Sequence, residues 1–589
     1  MLLLLPANAS AQSSVLFRNA RVFDGEKIIA NTDVLVERGL IARVSPNLNA
    51  DGAQVIDARG KTLLPGLIDA HTHTFGAALE EAVVFGVTTS LDMFTDPALA
   101  RAMREEQRAG QANDRTDLFS AGVLVTTPGG HGTEYGMAIP TITQPDSAQA
   151  FVDARIAEGS DYIKLVYDDG ALFQINWTTL SEETMRAVIA AAHKRGKLAV
   201  VHVSTHAAAQ KAIDAGADGL VHLFVDTTAD ARLISIAKQK RVFVIPTMVV
   251  LKSITGVGGG APLVDDPHLA PYLNGATRAA LAQGFPNRPG SPRKDFEFAR
   301  TSVAALARAG VPILAGTDAP NPGTAHGAAL HRELELLVDA GLTPLAALRA
   351  ATSAPAAAFA LKDRGRIAVG LRADLVLVDG DPMADIRATR AISGIWKGGY
   401  AIDRAGFARA VAAERARAQS APQALATGII ADFEEGPVSP RFGTAWMSST
   451  DRFAGGTSTG EINVIDGGAN NSKKSLQISG TITSGFAYPW SGAMWSPGAQ
   501  PMQPVDLSAK PGISFWSKGD GGTYRVMVFA QSKGMTPVQQ EFVAGPEWRE
   551  HAFSWAAFGL DGKGIMAVIF TGGPQAGAFQ LQVDEVVLK

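Results

Sequence analysis

At 589 residues the chain is too long for one hydrophobic core, and two or three domains are expected. A charged fraction of 19% with a net charge of −4 is ordinary for a globular protein and carries no signal for nucleic acid or another polyanion. There is no cysteine, which excludes disulfides, thiolate metal sites and cysteine nucleophiles, so any metal must be held by histidine, carboxylate or something rarer.

The chain opens on an apolar stub, Met1 to Leu5, followed by Ala9-Ser10-Ala11, a small-residue pattern of the kind signal peptidase cuts after; no basic n-region precedes it. Residues 1–14 read as a signal-peptide remnant with a periplasmic or secreted destination, a disordered N-terminus being the alternative. No apolar run elsewhere reaches the roughly 20 residues that span a bilayer, so no membrane span is expected. From Val15 to Val55 short apolar runs alternate with turn residues, the pattern of small-sheet strands. A longer rhythm follows, in which apolar strands at 63–73, 86–93, 118–126, 161–167, 198–204, 219–224, 242–247 and 311–318 are separated by Ala-, Arg- and Glu-rich helical stretches. Eight such repeats predict an α/β fold, a (β/α)8 TIM barrel over 63–364. Residues 248–300, with Gly258-Gly259-Gly260 and several prolines, predict a long loop with helical pieces over the barrel mouth, placed to act as a lid. Gly365 to Arg404 returns to β patterning, so 15–62 plus 365–405 are expected to form a discontinuous small β-sandwich. An Ala/Arg helix and a linker (406–428) lead to 429–589, where six of the eight tryptophans (446, 490, 495, 516, 548, 555) lie among Gly, Ser and Thr in short alternating runs; that composition predicts an all-β sandwich.

Active sites of such barrels lie at the C-terminal ends of the strands. The first predicted strand ends in His71-Thr72-His73, whose alternate side chains leave one face and so share one Zn-type ion, or else are two histidines at a strand end. Lys164 lies on the fourth strand, His202 ends the fifth, His222 the sixth and Asp318 the eighth, each amid apolar residues where a charge is costly. Singly, His202 and His222 read equally as hydrogen-bonded core histidines and Asp318 as a helix cap; together they point to a metal site. Lys164 is the most diagnostic, since an unpaired ammonium beside a divalent cation is repelled and desolvated. It makes sense as a lysine carbamylated by carbon dioxide, an anionic ligand that bridges two metals; the alternative is a salt bridge to Asp168 or Asp169. In the glycine-rich loop Pro128-Gly129-Gly130-His131-Gly132-Thr133-Glu134-Tyr135-Gly136, His131 is the candidate hydrogen-bond donor to a scissile carbonyl oxygen, a turn histidine being the other reading. Tyr167 and His326 are weaker substrate-binding candidates.

At these residues the chain resembles the amidohydrolase superfamily. The matching pieces are Pro65-Gly66-Leu67-Ile68-Asp69-Ala70-His71-Thr72-His73, Lys164, the two single histidines, Gly316-Thr317-Asp318-Ala319 and Gly370-Leu371-Arg372-Ala373-Asp374-Leu375-Val376. His326-Gly327 and Glu333-Leu334, ahead of Ala340-Gly341-Leu342-Thr343-Pro344, are similar to the imidazolonepropionase-like and Xaa-Pro dipeptidase-like members. The resemblance implies two divalent ions, Zn first with Mn or Co open. It places the buried ion on His71, His73 and Asp318 and the more exposed one on His202 and His222, with carbamylated Lys164 and a hydroxide between them and Asp318 moving the proton to the leaving amine. It implies hydrolysis of an amide in an N-acyl amino acid or dipeptide-like small molecule. A lactone, ester, carbamate or phosphotriester suits the same site; a mononuclear deaminase would not need Lys164, and a metal-free scaffold would not need the ligands. One departure stands out: relatives often carry His-Ala-Tyr-Thr where this chain has His202-Val203-Ser204-Thr205-His206, which removes a tyrosine able to bind a substrate carboxylate.

The C-terminal segment, through Asp432-Phe433-Glu434, Trp446, Asp451-Arg452 and Gly455-Gly456-Thr457-Ser458, resembles the complex I intermediate-associated protein family and related carbohydrate-binding modules, both jelly rolls. The resemblance implies a docking or stabilising domain, or a carbohydrate contact through exposed tryptophans; a homo-oligomer stays open.

Overall fold

The computed structural model describes residues 14–134, 139–256, 258–285, 294–434, 440–451, 457–484, 489–498, 501–533 and 537–589. The expected signal remnant (save Ser14), Tyr135 and Gly136 of the glycine-rich loop, and Arg452, Gly455 and Gly456 lie outside them. The chain divides into two compact units. One runs to Ala408, apart from 135–138 and 274–276, and the other holds those short pieces and 409–589. No described helix is long and apolar enough to cross a membrane.

In the first unit, strands from both ends of the segment join one sheet. Its order is Tyr400–Ala401, Ile392–Lys397, Leu375–Asp379, Lys61–Pro65, Val15–Phe23, Ile28–Glu37 and Leu40–Ser45, with Gln54–Asp57 pairing Val15–Phe23. Instead of two stacked sheets this is one that folds back on itself. Phe17 and Trp396 lie on strands three steps apart, which is about 14 Å in a flat sheet, yet their rings meet at 4.6 Å. The two faces follow the period of two: Leu63 packs with Val22 and Leu375, whereas Leu64 packs with Val376 in the large α/β core.

That sheet corrects the expected first barrel strand. Lys61–Pro65 pairs antiparallel with Leu375–Asp379, and the parallel strand begins only at Leu67. The break falls at Gly66, whose N–H donates to Asp374 O at 2.7 Å and where a Cβ would stand 2.1 Å from Thr88 Oγ1. Only glycine admits that approach.

Beyond Gly66 the strands are parallel and alternate with helices. Leu67–Thr72, Val87–Asp92 and Asp117–Ser120 form one sheet; Ile163–Val166, Ala199–His202, Gly219–Val221 and Phe243–Ile245 form another. Parallel bridges Val125↔Leu165, Val244↔Ile313 and Thr72↔Ala319 join them, and Ala70 N donates to Ala315 O at 2.8 Å. The expected strand at 311–318 is thus present as bridges and hydrogen bonds. Gly216 caps helix His206–Ala215 at φ +103, as its position beyond the last apolar turn predicts.

Between 248 and 300 the described residues include helix Met248–Ile254 and most of helix Gly275–Ala282. Leu263, Leu269, Leu273 and Leu281 are buried against Val83, Val84 and Phe85. This packing anchors part of the segment expected over the barrel mouth. Helix Arg404–Thr427 covers the expected linker.

From Ile429 on, the second unit is built of β-strands. A six-stranded antiparallel sheet, ordered Thr459–Asp466, Lys474–Ile482, Gly577–Leu588, Gly512–Gly519 and Arg549–Ser554 with Ile429–Ala431 on Gly577–Leu588, shares one core with a five-stranded sheet. That second sheet runs Met447–Thr450, Ser491–Trp495, Ile565–Gly572, Thr523–Ala530, Val538–Val543. Trp446, Trp495 and Trp555 are core residues, and Trp490, Trp516 and Trp548 are half-buried. No described tryptophan of this unit is exposed, which removes the feature on which sugar stacking was expected to rest.

Candidate metal centre

The C-terminal ends of the parallel strands bring six of the predicted residues into one buried group. His71 and His73 point their Nε2 atoms at Asp318 Oδ1, 3.1 and 3.0 Å away, and at each other, 3.4 Å apart. His222 closes on His71, ring centroids 4.7 Å apart, and His202 on His222 at 4.6 Å. Lys164, buried, lies where Asp318 and Asp92 act on its charge.

The backbone holds this geometry at some cost. His222 and Asp318 adopt φ of +68° and +59°, left-handed values that cost a non-glycine residue about 1–3 kcal/mol. Gly316 lets the last strand close in: a Cβ there would stand 2.9 Å from His71 Cβ and 2.5 Å from Ile245 Cγ2. Asp69 pins the same two strands, accepting His71 N at 3.1 Å and Thr317 Oγ1 at 2.7 Å.

Burial dominates the electrostatics. It pushes His71 down to about 3, Lys164 adding to the effect, and His202 to about 4; His222 falls well below the usual imidazole value. Neutral imidazoles are the form that ligates metals. Burial alone would raise the Asp318 carboxyl, but His71 and His222 beside it hold it well below the carboxylate range. Burial brings Lys164 down to about 7 against the pull of Asp318 and Asp92, so a sizeable share of it is the neutral amine near neutral pH. Among the described residues it forms no ion pair, and neither expected partner takes it. Asp168 instead accepts from Gly170 N and pairs with His202 Nε2 at 3.2 Å, and Asp169 accepts from Ala171 N.

Do these donors fit a metal? Four ligands at about 2.0–2.1 Å around a tetrahedral Zn stand about 3.3–3.4 Å from one another. The 3.0–3.4 Å triangle of His71 Nε2, His73 Nε2 and Asp318 Oδ1 matches that spacing. His71, His222 and Asp318 likewise offer atoms within 4.8 Å of one another.

His131 joins the group from the loop after the third strand: its ring lies 5.0 Å from that of His202 and stacks on Trp177 at 4.2 Å. Its Nδ1 meets Glu134 Oε1 at 2.5 Å. His326 is buried and lies close enough to His73 for charge on either to disfavour charge on the other, though burial is the main reason it falls to about 4. Tyr167 is not brought to the group. Its ring packs on the core and it lies within electrostatic reach of Lys211 on helix His206–Ala215.

Several participants went unseen in sequence. Asp92, at the end of the second strand, accepts from Thr74 N at 2.7 Å and Ser120 Oγ at 2.6 Å, and burial lifts it to about 6. Thr247 sits 2.7 Å from His222 Nδ1. Trp177 covers His131. The signal for Asp92 and Thr247 was their place at strand ends; the strands they end held no histidine to draw attention.

Comparison with known proteins follows this geometry. The profile of the Amidohydrolase family matches residues 62–401, more than half of the chain, and that of Complex I intermediate-associated protein 30 (CIA30) matches 436–568. Among curated proteins a dihydroorotase of Bacillus thuringiensis (strain Al Hakam) is 50% identical over 58 residues, which is 10% of this chain and 14% of that enzyme's length. Among solved structures, a Xaa-Pro dipeptidase with methionine bound in its active site superposes with a TM-score of 0.54 at 23% identity, over 66% of this chain and 99% of the other. Phenylurea hydrolase B does so with 0.52 at 22%, over 67% and 98%. At these identities the structural likeness is one of fold.

Proposed function

The chain belongs to the amidohydrolase family, and from that premise we propose a metal-dependent hydrolase whose eight strand positions close as a (β/α)8 barrel and whose substrate is an amide-type carbonyl–nitrogen bond. The observation that carries the reading is the convergence of His71, His73 and Asp318 on one point beside His222, His202 and an unpaired buried lysine.

In this reading His71, His73 and Asp318 hold one divalent ion, Zn by donor chemistry with Mn or Co as substitutes, and His202 and His222 a second. Lys164, as its carbamate, would serve as a ligand to both; its neutral amine is the form that would add carbon dioxide. When bound, such ions supply an activated water and polarise a carbonyl. The remaining chemistry belongs to the side chains. Asp318, ionised, accepts a proton from the attacking water and passes it to the leaving nitrogen. His131, whose Nδ1 meets Glu134 Oε1, donates from Nε2 to the carbonyl oxygen. Support for an amide substrate comes from the Xaa-Pro dipeptidase and the phenylurea hydrolase, both of the same fold. The substrate class proposed is an N-acyl amino acid or dipeptide-like molecule. Export to a periplasm, from Ala9-Ser10-Ala11, is proposed alongside it.

The test is metal analysis of the purified protein followed by a screen of the zinc-reconstituted chain against N-acyl amino acids, dipeptides, ureas and esters, reading kcat/KM. Turnover of amides with more than one zinc equivalent is expected. Turnover of esters with failure on every amide would sink the amide reading, and less than one equivalent of metal would sink the metal reading.

A further inference from the structure

The seventh parallel strand, Phe243–Ile245, supplies no ligand to the centre, yet the residue just beyond it touches one. Thr247 stands at the N-cap of helix Met248–Ile254, where a threonine side chain ordinarily accepts an N–H of the first turn. Here it makes no such bond. Those N–H groups are taken by Glu333, from helix Ala328–Asp339: Met248 N donates to Oε1 at 3.0 Å and Val249 N to Oε2 at 2.9 Å. Glu333 is fully buried, and its contact spans 85 residues of sequence. With the helix capped from outside, the Thr247 hydroxyl lies 2.7 Å from His222 Nδ1.

Two further observations show that this contact is built. Thr247 has φ of +49° and His222 φ of +68°; a β-branched residue takes such a conformation only where its surroundings impose it. The backbone ties the two strand ends, His222 N donating to Ile245 O at 2.9 Å, and Thr247 O accepts the first bond of its helix, from Leu251 N at 3.1 Å. His202 is held the other way round, by Asp168 at its Nε2.

We propose that Glu333 and Thr247 are positioning residues for the metal centre: Glu333 replaces the helix cap so that Thr247 accepts the Nδ1–H of His222 and leaves the Nε2 lone pair facing the ion. This rests on the metal-dependent reading above.

The experiment is zinc binding by the full chain, measured by chelator competition for wild type, Thr247→Val, Thr247→Ser and Glu333→Gln, with thermal unfolding of the zinc-free proteins alongside. Thr247→Val keeps the shape and removes the oxygen; one zinc equivalent is expected to weaken by about 10–100-fold, the usual effect of removing a group that orients a histidine ligand. Thr247→Ser restores the affinity. Glu333→Gln, with one acceptor oxygen for two N–H groups, weakens the same equivalent. Equal affinity in wild type and Thr247→Val overturns the inference. So does a loss that tracks lowered zinc-free stability and that serine does not rescue, since the role is then structural. A wild type that binds no zinc overturns the metal reading itself, and this inference with it.

Discussion

The two units bury charge in opposite ways. In the β unit the fully buried carboxylates are met by N–H and O–H groups: Asp451 accepts from Ser458 N and Oγ at 2.8 and 2.6 Å, and Asp584 from Ala469 N and Glu585 N at 2.8 and 2.7 Å. In the α/β unit Lys164 has no partner among the described residues, and the outer nitrogens of His71 and His73 have none. The same unit contains its own control, for Asp117 is equally buried but is met by Lys397, Arg364 and Arg372 at 2.7 Å each. At Asp117 the cost of burying a charge is met within the fold, and at Lys164 it is not.

The sharpest way to break that contrast is Lys164→Ala, which should lower kcat/KM at least about 1,000-fold, several kcal/mol of transition-state stabilisation, and remove zinc as read by mass spectrometry. Activity within tenfold of wild type would show that the unmatched lysine is idle. Asp117→Asn attacks the matched charge. Leaving three cations without their carboxylate is expected to destabilise the α/β unit by about 3–5 kcal/mol in chemical denaturation. Burial raises the Asp117 carboxyl but the three cations outweigh it, so its pKa is lowered. Its stabilisation is therefore full above the unfolded carboxylate value and is lost as pH falls through the folded one; the Asn variant should lack that acid-side loss.

Trp495→Ala probes the other unit. Trp495 is fully buried against Trp446 and Phe442, and its removal should cost about 3–5 kcal/mol in the β unit's unfolding transition with zinc content unchanged. Loss of zinc in that variant would mean that the two kinds of burial are not separate. The smallest effect is expected of His131→Asn: kcat/KM falls about 100-fold, as for loss of one donor to a developing oxyanion, while zinc affinity holds. A variant that loses zinc instead would move His131 from substrate to metal.

The legible part of the site was the part carried by unusual residues at strand ends. His71, His73, Lys164, His202, His222 and Asp318 stand out because a charge or imidazole in an apolar strand needs a reason. Thr247 ends a strand too, but threonine there is unremarkable, and only its left-handed φ and the cap supplied by Glu333 mark it. Tyr167 follows a strand as the others do, yet its side chain leaves on the other face and lies within electrostatic reach of Lys211. Pro65-Gly66 read as the middle of one strand, because the hydrophobic run is continuous; the division into two sheets depends on Leu375–Asp379, some 300 residues away.

Sequence alone pointed to the classes of structure and to the strand-end residues that the fold brings together, since period, composition and the cost of burying charge are local properties of the chain. Tertiary structure decided that His71 and His73 turn Nε2 toward Asp318 and that His222 Nδ1 meets Thr247. Those depend on contacts between strands and helices far apart in sequence, and no local pattern records them.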